Sequence, residues 1–131
     1  MENQVTSIEQ SKRLIDLGVP AEKASMVWAT CSGKYHLSVL PHYKATPEYI
    51  KSGESIPAFT VADLLAVLPK VMEDDEGVPF YLNIQYNRKE YSEIKYKGVY
   101  GILWSCFGAS LLNNLVEAVD GVVTNGYELT L

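Results

Sequence analysis

The feature that most constrains the fold is a strict alternation of apolar and polar residues between Phe80 and Tyr96. In the first half of the segment, a more apolar set of residues alternates with a more polar set: Phe80, Leu82, Ile84 and Tyr86 against Tyr81, Asn83 and Gln85. A polar tip at residues 87–90 follows. After the tip, Ile94 and Tyr96 alternate with charged residues. A period of two is typical of strands with one buried face and one solvent-exposed face. The segment therefore predicts an antiparallel hairpin with strands at residues 79–86 and 91–97.

The length of the hairpin connection follows from which residues must share a face. Directly paired residues of an antiparallel hairpin lie on the same face, so Ile84 can oppose Ile94 only if the paired residue numbers have an even sum. A two-residue turn would set Ile84 opposite Glu93 and bury a charge. We therefore expect a connection of three or five residues, although the tip contains no glycine.

Other segments predict further strands. Tyr100, Ile102, Trp104 and Cys106 alternate with Gly101, Leu103 and Ser105, which predicts a strand at residues 100–106 with the first four side chains on one face. Residues 26–29 and 35–40 have the composition of strands or extended segments. Residues 42–55 show no periodicity and contain a proline and a glycine, so they predict a long loop, and long loops in compact domains are often functional.

Three helices are indicated by capping residues and by apolar periodicity. Thr6 with Glu9, and Thr60 with Asp63, fit a capping box, in which each side chain bonds the backbone of the other residue. They predict helices at residues 7–17 and 60–68. A final amphipathic helix is predicted at residues 109–124, with a polar side on the solvent. That polar side consists of Asn113, Asn114, Glu117, Asp120 and Thr124.

The order of these elements predicts an α+β fold. Three to four strands would form a small antiparallel meander, and the helices would pack on one of its faces. A chain of 131 residues suits one domain, so we expect a single domain over residues 1–131.

Charge and hydropathy narrow the classes of function. The net charge is −5, but the four acids at residues 73–76 account for most of it, leaving 12 acidic residues against 11 basic ones. The chain lacks the overall positive charge typical of proteins that hold a nucleic-acid backbone. No apolar run approaches the roughly 18 residues of a membrane helix. The first residues lack the pattern of a secretory signal. We expect a cytoplasmic protein that does not enter the membrane.

The chemistry-bearing residues do not form a recognisable catalytic or metal-binding pattern. Cys31, His36, His42 and Cys106 follow one another at intervals of five, six and sixty-four residues, whereas zinc sites use closely spaced ligand pairs. Cys31 beside a histidine leaves a small enzyme open, but the pattern is loose. The acidic run at residues 73–76 lacks the spacing of a calcium loop and is interpreted as a solvated connector. We therefore predict no catalytic, cofactor or metal site.

Two surfaces remain as candidates for binding a partner. The first is the exposed face of the hairpin, with Tyr81, Asn83, Gln85, Lys95 and Lys97, and the second is the predicted loop, with His42, Tyr43, Lys44 and Tyr49. Aromatic side chains beside cations also suit single-stranded nucleic acid. Because tyrosine is common at protein interfaces, binding of a protein partner or self-association is the favoured hypothesis, and binding of nucleic acid is the alternative.

Two segments carry a resemblance to a known group of proteins. They are EQSKRLIDLGVP at residues 9–20, followed by ASMVW at residues 24–28, and IPAFTVADLLAVLP at residues 56–69. With a weaker match in the final helix, they resemble small proteins encoded in prophages and mobile elements of gut anaerobes. The resemblance implies an accessory protein of a phage or mobile element. The group has no known catalytic residues, so the resemblance leaves the activity open.

Overall fold

The chain folds into two antiparallel sheets and several helices. The computed structural model describes residues 4–31, 33–39, 55–86 and 91–131, apart from the side chains of Cys31 and Val39. Contacts divide the chain into two compact units, residues 1–64 with Leu131 and residues 65–130. Each unit has a sheet of its own, which confirms the α+β class. The single domain expected over residues 1–131 stays a prediction.

The first unit is built around a three-stranded sheet. Its elements are α1 (Ile8–Asp16), a short 3-10 helix (Ala21–Lys23), β1 (Met26–Cys31), β2 (Lys34–Val39) and β3 (Ser55–Ala58), and α2 (Val61–Val67) begins in this unit. The sheet order is β2-β1-β3, and both pairings are antiparallel. β1 and β2 confirm the strands predicted there. β3 was not expected, and it corrects only the last residue of the loop predicted over residues 42–55, since Ser55 belongs to a strand. The rest of that predicted loop lies outside the described residues.

Helix α1 begins one residue later than the capping box predicted. The prediction of Thr6 and Glu9 as the capping pair is wrong. Instead the Ser7 hydroxyl accepts a hydrogen bond from the Gln10 backbone amide, and the Gln10 side chain accepts one from the Ser7 amide. The pairs Thr6–Glu9 and Ser7–Gln10 have the same spacing, so the sequence alone does not show which of them caps the helix.

Thr6 is instead a buried junction between the chain entering α1 and the rest of the unit. Its hydroxyl lies 2.7 Å from that of Ser11 and accepts a 3.0 Å hydrogen bond from the Phe59 amide. The Thr6 carbonyl accepts a 2.9 Å bond from the indole of Trp28. Thr6 is fully buried, so these bonds satisfy polar groups that water does not reach.

Helix α2 begins as the sequence predicts. The Asp63 carboxylate accepts a bond from the Thr60 amide, and the Thr60 hydroxyl accepts one from the Asp63 amide. The same carboxylate also accepts bonds from the amide and hydroxyl of Ser25. Asp63 therefore holds the segment before β1 as well as the start of α2.

The second unit contains the predicted meander. Its elements are β4 (Val71–Glu73), β5 (Pro79–Tyr86), β6 (Ser92–Gly98), β7 (Gly101–Gly108) and α3 (Leu111–Thr124), in the sheet order β4-β5-β6-β7. The acidic run is not simply a connector, because Glu73 ends β4. Asp74 then closes the β4–β5 turn, its carboxylate accepting bonds from the amides of Glu76 and Val78.

The register of the β5–β6 hairpin agrees with the parity argument. Ile84 pairs with Ile94, Leu82 with Tyr96, and Tyr86 with Ser92. Five residues separate the members of this last described pair, so the predicted odd length is confirmed and a two-residue turn is excluded. Ile94 and Tyr96 are fully buried, as expected for the inner face.

Helix α3 lies against β6 and β7 and covers this inner face. Asn114, predicted on the solvent side of the helix, is buried, with only 6% of its surface exposed. Its amide nitrogen lies 2.6 Å from the Ser92 hydroxyl, 3.1 Å from the Ser92 carbonyl and 3.2 Å from the Gly108 carbonyl. Asn114 thus ties the first turn of α3 to the start of β6 and the end of β7.

Gly121 allows the Trp104 ring to lie directly against the backbone of α3. A Cβ atom added at Gly121 would lie 2.5 Å from the ring, closer than packed atoms approach. Glycine weakens a helix by about 1 kcal/mol relative to alanine. Here that cost accompanies a contact that a larger residue would prevent.

We expect Gly121→Ala to destabilise the protein by about 1–3 kcal/mol, because overpacking at Trp104 outweighs the gain in helix propensity. Urea unfolding measures the change. In a Trp104→Phe background the smaller ring should reduce the cost of Gly121→Ala, since contacting residues are energetically coupled. An equal cost in both backgrounds, or a stabilising substitution, would contradict this packing.

We expect Asn114→Ala to lower the free energy of unfolding by about 1–3 kcal/mol, because two buried carbonyl groups lose a donor. Thermal or urea unfolding gives the value. The matched control is Asn113→Ala, the same change at the preceding position of α3, which is exposed. If the two variants lose equal stability, Asn114 is not the tie between α3 and the sheet.

Candidate functional site

The face of the second sheet opposite α3 carries a row of exposed side chains that crosses all four strands. Val71 pairs with Tyr81, Tyr81 with Lys97, and Lys97 with Ile102. Paired residues share a face, and adjacent strands are about 4.8 Å apart, so the row spans about 14 Å. We call Val71, Tyr81, Lys97 and Ile102 the exposed row. The exposed fractions of its apolar members are 44%, 56% and 53% in that order, and Lys97 is also exposed.

Ile102 joins the exposed row because β7 contains one extra residue. Tyr96 pairs with Trp104 and Lys97 with Ile102, so Leu103 has no partner of its own on β6. Such a bulge shifts the alternation of side chains by one position. The prediction that Ile102 shares a face with Trp104 is therefore wrong.

A second row of this face holds Lys95 between its neighbours. Lys95 pairs with Asn83 on one side and with Ser105 on the other. Its ammonium lies 3.3 Å from the Gln85 amide oxygen and 3.6 Å from the Glu93 carboxylate, and only 12% of its side chain is exposed. Lys95 lies on the predicted face, but its charge is engaged within the sheet.

The remaining predicted face residues differ in how accessible they are. Gln85 is exposed and pairs with Glu93, which pairs in turn with Phe107, 73% exposed. Asn83 is half-buried, and its side-chain oxygen has no hydrogen-bond partner within the described part of the chain. Of the five predicted residues, Tyr81, Gln85 and Lys97 are therefore the ones that face solvent.

The second predicted surface is not part of the described structure. His42, Tyr43, Lys44 and Tyr49 all lie outside the described residues. Their role in binding a partner stays a prediction.

The cysteine and histidine candidates are not brought together in the described residues. His36 is exposed on β2, and Cys106 is half-buried on β7. The Cys31 side chain and the whole of His42 lie outside what the structure describes. Across the described ranges, no group of three or more Cys, His, Asp or Glu residues is placed to hold a metal ion.

The surroundings of Cys106 disfavour a reactive thiolate. Its sulfur lies 3.5 Å from the Asn114 carbonyl oxygen, to which the thiol donates. Burial, together with the smaller effect of the Glu117 and Glu93 carboxylates, raises the pKa of Cys106 to about 11. Because the thiolate is the nucleophile, the protonated thiol is poorly suited to covalent catalysis near neutral pH.

A cavity on the inner side of the second unit is too small for an ordinary ligand site. It lies between Met72, Trp104, Tyr127 and the last turn of α3, and its volume is about 120 Å³. Pockets that bind metabolites usually exceed about 300 Å³. The exposed row is therefore the better candidate for function.

We expect Cys106 to react slowly with iodoacetamide at pH 7 to 8. The rate should increase as the pH approaches the apparent pKa of about 11. Burial favours the neutral thiol in the folded state, so the rate should increase strongly in denaturant, where the pKa returns to its ordinary value. Peptide mass mapping separates Cys106 from Cys31. Rapid labelling of folded Cys106 at pH 7 would contradict this description.

Comparisons with known proteins leave the site to be judged on its geometry. The chain matches no family model, no curated protein and no solved structure. None of the helices in the described ranges has both the length and the apolar character needed to cross a bilayer.

Proposed function

We propose that this chain is a non-enzymatic protein-interaction module, the cytoplasmic accessory protein of a phage or mobile element. It binds a protein partner through the outer face of the β4-β5-β6-β7 sheet. The context of a phage or mobile element rests on the resemblance of residues 9–28 and 56–69 described above. The binding role rests on the surface of the second unit.

The observation that carries the proposal is where exposed apolar side chains occur. Ten large apolar side chains are exposed among the described residues, and four of them lie on this one face: Val71, Tyr81, Ile102 and Phe107. Single exposed apolar residues are ordinary, but a concentration on one part of a surface is typical of an interaction site. Val71, Tyr81 and Ile102 are also connected by direct strand pairing.

The chemistry of the exposed row suits a protein partner. Tyrosine supplies a large contact area that loses little conformational entropy on binding, and aromatic residues are enriched in the centres of interfaces. The row contains one charge, Lys97, between Tyr81 and Ile102. An apolar surface with one central cation fits a partner that offers an apolar patch and a carboxylate.

The proposal predicts that Tyr81→Ala weakens partner binding at least tenfold, which corresponds to about 1.4 kcal/mol, because Tyr81 lies at the centre of the row. Candidate partners are the proteins encoded beside this one, each co-expressed with it and then titrated by calorimetry. Tyr81 is 56% exposed, so its removal should leave the unfolding temperature nearly unchanged.

The matched control is Tyr100→Ala. Tyr100 is 87% exposed but lies in the β6–β7 turn, outside the exposed row. A partner that binds both variants with the affinity of the unmodified protein, or loses both equally, would contradict the assignment to this face.

Single-stranded nucleic acid is the alternative ligand, because Tyr81 lies directly opposite the exposed Lys97. Stacking on an aromatic ring beside a cation is how such strands are held. The net charge of −5 and the engagement of Lys95 by Glu93 weigh against it. A salt-dependent shift with single-stranded DNA that is lost in a Lys95→Glu and Lys97→Glu double variant would favour this alternative.

A further inference from the structure

The two edges of the four-stranded sheet are protected very differently. β4 has three residues, ends in Glu73 and is followed by three more acids. β7 has eight residues, Gly101 to Gly108, with no charged residue and no proline. Soluble proteins usually protect a long edge strand with charges, prolines or covering elements, since its unpaired backbone groups can pair with another chain. Within the described residues, β7 has a strand neighbour on one side only, β6.

Apolar side chains are exposed along β7 and in the turn before it. Tyr100 is 87% exposed, Ile102 53% and Phe107 73%. Exposed apolar groups beside an open backbone edge are the features of a strand that accepts another strand. This surface is the edge of the sheet, and it shares Ile102 with the exposed row on the face.

We propose that β7 pairs with β7 of a second copy of this chain, joining the two sheets into one antiparallel sheet of eight strands. Two identical strands paired in antiparallel fashion are related by a two-fold axis, so one surface patch serves both copies. The axis is perpendicular to the sheet and therefore places α3 of both copies on the same side. The backbone groups of β7 that point away from β6 would then find partners.

The charge distribution favours joining two copies through β7 rather than through β4. Each copy carries a net charge of −5, and the acidic run lies at the β4 edge. Joining at β7 separates the two β4 strands by seven strand spacings, about 34 Å. That distance is several times the Debye length of about 8 Å at physiological salt, so the acidic runs barely repel each other. Joining at β4 would bring them together.

The bulge in β7 defines the register of the pair. Because the alternation breaks at Leu103, regular pairing is available from Trp104 to Gly108. Side chains of paired residues share a face, so the residue numbers of each pair have an even sum. A pair centred on Cys106 uses all five residues and sets Ser105 opposite Phe107 of the second copy. A small interface of this kind gives weak association that depends on protein concentration.

Two double variants test this register at the same positions. In Ser105→Lys with Phe107→Lys, like charges face each other across the two-fold axis, and dimers should be lost. In Ser105→Glu with Phe107→Lys, opposite charges face each other, and dimers should persist. Within one copy the second variant also places the new charges opposite Lys95 and Glu93 in attractive pairs. Tyr81→Lys is the control, because it adds a lysine to the same face away from the edge.

The measurement is sedimentation velocity over a range of concentrations, combined with hydrogen exchange at the lowest and highest of them. We expect a concentration-dependent dimer in which exchange slows at residues 101–108 and not at residues 71–73. Circular dichroism checks that each variant is folded. A monomer at all concentrations, equal dimerisation of both double variants, or slowed exchange confined to other segments would overturn the inference.

The outcome is separable from that of the proposed function. A monomeric protein whose partner binding depends on Tyr81 would refute the β7 pairing and leave the protein-binding face intact. A dimer sensitive to the charges at Ser105 and Phe107, with no partner affected by Tyr81→Ala, would do the reverse. Binding of a foreign peptide along β7 in a protein that stays monomeric would likewise refute self-pairing.

Discussion

The pairing of Ile84 with Ile94 is the constraint on which the second unit depends. It sets Tyr96 opposite Leu82 and places Ile94 and Tyr96 on the face covered by α3. A shift by one residue would turn every β6 side chain to the other face and bury Lys95. The cost of burying an unpaired charge excludes that register. The inner face is therefore determined by hydrophobic burial, and the composition of the outer face follows from it.

The outer face of the second sheet carries two lysines in different surroundings. Lys95 is covered and lies between Gln85 and Glu93, so its charge is largely compensated where it lies. Lys97 is exposed between two apolar neighbours, Tyr81 and Ile102. In the proposed binding role, burial of apolar area would supply most of the attraction, and the one exposed cation would orient the partner.

Much of the fold could be predicted from the sequence where the local pattern was long and unambiguous. The strands at residues 79–86, 91–97 and 100–106 were found from their alternation, and the start of α2 from Thr60 and Asp63. Short or atypical elements were missed. β4 has only three residues, too few to show a period, and β3 contains Pro57, which is unfavourable in most strands. The start of α1 was misplaced because tertiary bonds to Phe59 and Ser11 engage Thr6 and leave Ser7 to cap the helix.

The candidate site was predicted in part, because the alternation along the strands shows which residues share a face. Tyr81, Asn83, Gln85, Lys95 and Lys97 share a face because hairpin parity requires it. Ile102 was missed because a bulge at Leu103 has no local signature, and Val71 was missed together with β4. Asn114 was placed on the solvent side of α3 because its buried partners, Ser92 and Gly108, are distant in sequence. Position on a face is a local property, whereas exposure and hydrogen bonding depend on what packs from elsewhere.

The most direct test of the central claim is hydroxyl-radical footprinting of the protein in cells that also express its neighbouring genes, compared with the purified protein. If the outer face of the sheet is the partner surface, labelling of Tyr81 and Ile102 should fall in the cell while Tyr100 keeps its labelling. Equal labelling of Tyr81 and Ile102 in both settings, with protection appearing elsewhere, would contradict the central claim.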